Sequence, residues 1–223
     1  MSALTFTPYS DESANPPVRG FLYTPANPHG DALLLTHGAG ANCQSKLLIA
    51  VADAFAAAGF FVLRFDLPFR MERRFGPPRG NAERDRDGIR RAATLMREKV
   101  RGRVFLGGHS YGGRQATMLL AEQPQLADGL LLLSYPLHPP EKPRQLRTSH
   151  FPNLRTPSLF VHGTRDPFGS PEEMNAALAL IHASHQLLQI EGAAHDLLVK
   201  KVPGDLPARV LREFQTFFKT TII

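Results

Sequence analysis

The strongest constraint on this chain is an alternation of short apolar runs, each about the length of one buried strand, with stretches of helical periodicity. Ala32-Leu33-Leu34-Leu35-Thr36, Phe60 to Phe65, Val104 to Leu106, Leu130 to Leu133, Ser158 to Val161 and Gln186 to Ile190 read as strands. Val18 to Tyr23 reads as an earlier one. Leu48, Val51, Ala52 and Phe55 share a helical face that stops at Gly59, and Ile89, Ala92, Ala93, Met96 and Val100 predict a helix over roughly 82–99. Met118, Leu119 and Ala121 mark another, and Val210, Leu211, Phe214, Phe217 and Phe218 a terminal amphipathic one. Ser170-Pro171-Glu172-Glu173 carries a capping box with proline at the first helical position. Strands that are apolar throughout, spaced by helices, predict an α/β fold with a mostly parallel central sheet and helices on both faces. Such sheets take ligands beyond the carboxyl ends of their strands, so the chemistry is sought in the loops that follow strands.

A chain of 223 residues is expected to form a single domain, residues 1–223. With 43% hydrophobic and 21% charged residues it reads as globular rather than disordered. No apolar run is long enough to span a membrane, and Met1 to Phe6 lack the basic and apolar regions of a signal peptide. The single cysteine, Cys43, has no intrachain partner, which fits a reducing, cytoplasmic setting. The net charge of +6 favours an anionic partner, yet the densest basic stretch, Arg70 to Arg91, is broken by Glu72, Glu83, Asp85 and Asp87. No nucleic-acid motif, metal-ligand spacing or dinucleotide fingerprint occurs, so neither nucleic acid, metal nor cofactor is expected. The sequence sets no oligomeric state.

Gly108-His109-Ser110-Tyr111-Gly112 fits G-x-S-x-G. An apolar strand precedes it and an amphipathic helix follows, the context a nucleophile elbow requires. A serine hydroxyl needs a base to accept its proton. Position selects His195, in Gly192-Ala193-Ala194-His195-Asp196 just after the last strand. His109 is expected to point into packing, and His162, at a strand end, to be a satisfied core residue. The acid is sought in Gly163-Thr164-Arg165-Asp166-Pro167-Phe168-Gly169. Asp166 there can hold the second nitrogen of His195. Asp196 adjoins His195 too closely to reach its ring well, and Asp66 is a weaker rival. The amide of Tyr111 and an amide of His37-Gly38-Ala39-Gly40, most simply that of Ala39, are the candidate oxyanion donors. Cys43 reads as a small helix-start residue rather than a second nucleophile.

Gly108 to Arg114, Ser134-Tyr135-Pro136-Leu137-His138-Pro139-Pro140 and His162 to Gly169 together resemble a small branch of the α/β-hydrolases. That branch is related to dienelactone hydrolases, and it includes testis-expressed proteins and a scaffold subunit of a histone-acetyltransferase complex. The resemblance runs from about Ala32 to the C-terminal helix and implies an α/β-hydrolase fold with little or no cap. The order Ser110, Asp166, His195 agrees with it. Dienelactone hydrolases use cysteine at the elbow, so their substrate does not carry over. Two functions follow: a serine hydrolase of small ester-type substrates, or a catalytically idle module that keeps the fold to bind a partner. The long connection from Asp66 to Arg79 is expected to roof the nucleophile. Phe69, Met71 and Phe75 would form an apolar wall, and Arg70, Arg73, Arg74 and Arg79 would favour a carboxylate-bearing or other anionic substrate.

Overall fold

The computed structural model describes residues 5–80, 82–197 and 206–220, so the first four residues of the signal-peptide reading lie outside it. Thr5–Asp11 (β1) pairs antiparallel with Val18–Thr24 (β2), which in turn pairs antiparallel with Phe61–Phe65 (β4). From there the sheet is parallel. Ala32–Thr36 (β3) lies between β4 and Val104–His109 (β5), followed by Gly129–Leu133 (β6), Ser158–Gly163 (β7) and His185–Ile190 (β8). The eight-stranded order is β1-β2-β4-β3-β5-β6-β7-β8. This is the mostly parallel α/β architecture that the apolar runs predict.

Helices cover both faces. Lys46–Ala57 (α1) and Leu206–Phe218 (α6) pack on one, where Val51, Phe55, Leu131, Leu159 and Phe214 belong to a single apolar cluster. Glu83–Lys99 (α3) and Tyr111–Glu122 (α4) pack on the other, where Ile89, Met96, Leu106, Leu119 and Leu132 meet. Pro171–Leu178 (α5) begins at the expected capping box: the Glu173 amide donates to Ser170 Oγ at 3.2 Å and the Ser170 amide to Glu173 Oε2 at 2.7 Å.

Two elements depart from the sequence reading. The strand β1 was not expected, because Pro8 and its polar neighbours obscure the pattern; at the sheet edge proline is tolerated, since one side of the strand needs no ladder bonds. The connection after β4 is not all loop, for Pro68–Glu72 (α2) forms a short helix led by proline. Between β6 and β7 the chain makes only one 3₁₀ turn, Phe151–Asn153, so little stands over the sheet edge as a cap.

That connection is tied down through His150. The Thr117 hydroxyl donates to the Arg114 carbonyl at 2.8 Å, so at 2.8 Å from the same oxygen His150 Nε2 carries the proton. Burial, and then the charge of Arg114, lower the His150 pKa to about 4. Its folded pKa lies below the unfolded value, so its stabilisation is complete above pH ~6.5 and is lost as pH falls toward 4. The full loss is up to about 3 kcal/mol. Urea unfolding at pH 7.5 and 5 is expected to show a smaller acid-induced drop in His150→Gln than in the parent.

Candidate active site

Ser110 follows β5 directly and sits with φ 51° and ψ −113° before α4 begins. That left-handed geometry lifts its side chain away from both the strand and the helix. It is possible only because the neighbouring backbones approach closely. A Cβ on Gly112 would lie 2.0 Å from Thr36 Oγ1, and one on Gly108 would lie 2.5 Å from the Gly113 nitrogen. The two glycines of the motif are therefore steric requirements.

His195 lies in the loop after β8, Asp166 in the loop after β7, and both reach Ser110 at the carboxyl edge of the sheet. Ser110 Oγ donates to His195 Nε2 at 2.8 Å. On the other side of the ring, Nδ1 donates to the Asp166 carboxylate at 2.8 and 3.0 Å. The Asp166 carboxylate also accepts the Phe168 amide at 2.9 Å, and its side chain is buried. Phe168 lies against the His195 ring, centroids 4.2 Å apart. An ionised carboxylate only accepts, which fixes the proton of neutral His195 on Nδ1 and leaves Nε2 as the acceptor for Ser110.

The rival acids face elsewhere. Asp66 Oδ1 accepts the Cys43 amide at 2.7 Å and stands 3.5 Å from His37 Nε2. Asp196 is exposed, whereas His195 Nδ1 is occupied by Asp166. Cys43 is buried, and burial followed by the charge of Asp66 pushes its thiol up to about 12, far from a thiolate at neutral pH.

The turn His37-Gly38-Ala39-Gly40 lies against the elbow: a Cβ on Gly38 would come within 3.5 Å of Ser110 Cβ. Gly112 donates its amide to the His37 carbonyl at 3.1 Å, which joins this turn to the start of α4. Among the described residues neither the Ala39 amide nor the Tyr111 amide donates to a backbone carbonyl.

Sequence reasoning missed what holds the turn in place. Buried His37 donates from Nδ1 to the Gly38 carbonyl at 2.9 Å, and its Nε2 accepts the Leu67 amide at 3.1 Å; burial lowers its pKa and keeps it neutral. Asp85 of α3, its pKa raised by burial, accepts both the Phe69 amide at 2.9 Å and the Tyr111 hydroxyl at 2.7 Å. His109 does more than pack. Its Nε2 donates to the His195 carbonyl at 2.8 Å, linking the elbow to the loop of the base. His162 is only half satisfied: Nε2 donates to the Gly169 carbonyl at 2.8 Å, while Nδ1 has no hydrogen-bond partner among the described residues.

The basic segment also differs from expectation. Arg70 is buried, and its guanidinium donates to the carbonyls of Ala41, Ala39, Gly76 and Arg73 at 2.7–3.1 Å. A guanidinium committed to backbone carbonyls on both sides is a clamp between the Ala39 turn and the segment after α2, not a free ligand for substrate. Phe69 is buried as well, between the rings of His37 and Tyr111, each 5.5 Å away. Arg73 is half-buried, Arg74 and Arg79 are exposed, and the Arg74 guanidinium stands 5.5 Å from the exposed Phe75 ring. A cleft of about 240 Å³ separates Gly40, Asn42 and Ser45 from Arg74, Phe75 and Gly76.

A family model described as an alpha/beta hydrolase domain matches residues 29–222. The chain belongs to the α/β-hydrolase family. Among solved structures it is similar to a dienelactone hydrolase from Anabaena variabilis, at 22% identity over 97% of both chains and a TM-score of 0.75. Est1E from Butyrivibrio proteoclasticus shares 17% identity over 95% of this chain and 98% of its own, with a TM-score of 0.75. XC6422 from Xanthomonas campestris, described as an α/β serine hydrolase without a lid, shares 16% over 99% and 100%, with a TM-score of 0.71. At these identities the likeness is one of fold. No helix among the described residues is long and apolar enough to cross a membrane.

Arg70→Lys keeps the charge but cannot supply the fork that reaches several carbonyls at once. It is expected to cost about 2–4 kcal/mol, seen as a lower urea midpoint with an unchanged slope.

Proposed function

We propose that this α/β-hydrolase is a serine hydrolase of small ester-type substrates that works through an acyl-enzyme. The observation that carries the reading is the hydrogen-bonded line from Ser110 Oγ through His195 to Asp166, 2.8 Å at each end. Ser110 Oγ attacks the ester carbonyl as His195 Nε2 takes its proton. Asp166 holds the tautomer and stabilises the imidazolium. The amides of Ala39 and Tyr111 receive the oxyanion, a pair in which each donor lowers the barrier by about 3 kcal/mol. His195 then returns the proton to the departing alcohol. Water repeats the sequence on the acyl-enzyme and releases the acid. The β6–β7 connection carries only one 3₁₀ turn, which leaves the carboxyl edge of the sheet open to substrate.

The second reading is a catalytically idle module that keeps the fold to bind a partner, as the resemblance of the quoted motifs to a branch with scaffold members suggests. Labelling by a fluorophosphonate probe separates the two readings, because only an activated Ser110 reacts.

Ser110→Ala is expected to lose on the order of 10⁴-fold or more in turnover of p-nitrophenyl esters while keeping its melting temperature. More than a few per cent residual activity in the purified variant would sink the assignment. Asp166→Asn should lower kcat by orders of magnitude, whereas Asp196→Asn should be mild; the reverse outcome would move the acid to Asp196. Activity should fall on acidification, since only neutral His195 accepts the serine proton, and a pH-independent rate would remove His195 as the base.

A further inference from the structure

Several buried and half-buried cations in this protein are well partnered. Arg91 pairs with Asp11 and Arg103 with Asp31, each at 2.9 Å, and Arg70 is spent on carbonyls. Arg64 lies between the Tyr23 hydroxyl, the Cys43 carbonyl and the ring of Phe21. Arg73 and Arg86 are half-buried without a carboxylate among the described residues as well, but Arg114 and Arg147 also stand together. Both are half-buried, and among the described residues neither has a carboxylate within ion-pair distance. Arg114 Nε is shut away from solvent with no hydrogen-bond partner. Arg147 offers one guanidinium nitrogen to the Pro136 carbonyl at 3.3 Å.

The two arginines share one neighbourhood. The Tyr135 hydroxyl donates to the Arg147 carbonyl at 2.6 Å and feels the charge of both guanidinium groups. Burial, and then the charge of Arg114, hold Arg147 below its ordinary value. A pair of like charges drawn partly out of water without a counter-ion is costly to the fold alone, and an anion would relieve it.

The place is next to the nucleophile. The Arg114 amide donates to the Ser110 carbonyl at 3.0 Å, which puts its Cα one turn, roughly 6 Å, along α4. The Ser110 amide donates to Leu133 at the end of β6, and Tyr135 and Pro136 follow within three residues. The Arg147 amide returns to the Leu137 carbonyl at 2.8 Å. Both cations thus flank the carboxyl edge where Ser110 stands, whereas Arg70, the first cation of the basic segment, is already committed.

We propose that Arg114 and Arg147 form an anion-binding subsite beside Ser110 that takes a carboxylate carried by the substrate. The substrate class is then a monoester of a dicarboxylic acid, or an ester whose leaving group bears the carboxylate. This assignment of substrate class rests on the hydrolase reading; the anion subsite itself does not.

Two matched pairs distinguish the ends: mono-p-nitrophenyl glutarate against p-nitrophenyl valerate, and 4-acetoxybenzoate against phenyl acetate. The ratio of kcat/KM, charged over neutral, is expected to fall about 10-fold or more in Arg114→Gln and Arg147→Gln for one pair, which names the end. Arg144→Gln, exposed on the same segment, should leave the ratio within about twofold, and controls for net charge. Glutarate binding to Ser110→Ala, followed by calorimetry, tests the subsite without turnover and should be lost when Arg114→Gln is added. The melting temperature of Arg114→Gln should hold or rise, because an unpaired charge is removed. Unchanged ratios in both pairs together with glutarate binding that ignores Arg114 would overturn the subsite, as would a lowered melting temperature with unchanged ratios. Loss of all ester turnover with Arg114-dependent glutarate binding would overturn the hydrolase reading alone.

Discussion

Ser110 occupies a backbone conformation that neither the strand before it nor the helix after it would adopt, at φ 51° and ψ −113°. Such a residue costs on the order of 1–3 kcal/mol and persists only where its surroundings over-determine it. Here they do. Its amide is bound by Leu133 of the adjacent strand, its carbonyl by Arg114 one turn along α4, and Gly112 is bound by His37 just after the strand on the other side. The central strands β3, β5 and β6 are buried along almost their whole length, so the sheet beneath cannot shift to relax the turn. Half-buried Ser110 is held in this conformation by the buried centre of the sheet.

Rigidity at the elbow would be useless if the flanking loops were free. The turn after β3 lies against Ser110, and three separate groups hold it there. His37 fastens it to Leu67, Arg70 draws the Ala39 and Ala41 carbonyls toward the segment after α2, and Asp85 fixes that segment to α3 and to the Tyr111 hydroxyl. The long basic connection after β4 is therefore a support for the turn after β3. Its buried cation, Arg70, acts through backbone carbonyls, whereas Arg114 and Arg147 are left without a carboxylate partner among the described residues.

Much of this was legible in the sequence, and what was not has a common cause. Ser110, Asp166 and His195 could be chosen because each follows an apolar run, and parallel strands bring their carboxyl ends to one edge. The capping box at Ser170 was legible because its partners are local. The function of Arg70 was not, since an arginine in a basic stretch looks the same whether it faces water or four carbonyls gathered from Ala39 to Gly76. His109 and Arg114 flank the serine in the very motif that identified it, yet their partners lie across the sheet edge at His195 and near Tyr135. The strand β1 was hidden because its proline is permitted only at an edge, and edge position is a property of the assembled sheet. Contacts between distant segments are where sequence periodicity stops being informative.

The same long-range contacts give the site a second sensitivity to acid, apart from the protonation of His195. His37, His109 and His162 each donate one N–H to a backbone carbonyl, at Gly38, His195 and Gly169, and so brace the turn after β3 and the loops that carry His195 and Asp166. Burial lowers the pKa of all three. Their folded values lie below the unfolded ones, so the neutral forms stabilise the fold fully above the ordinary imidazole range, and that support drains as pH falls through it. Protonating His37 would place a second proton where the Leu67 amide already points, turning an accepted hydrogen bond into a clash of donors. A fall in activity on acidification thus has two physical sources: a base that can no longer accept, and loops whose histidine braces have come to favour the unfolded chain.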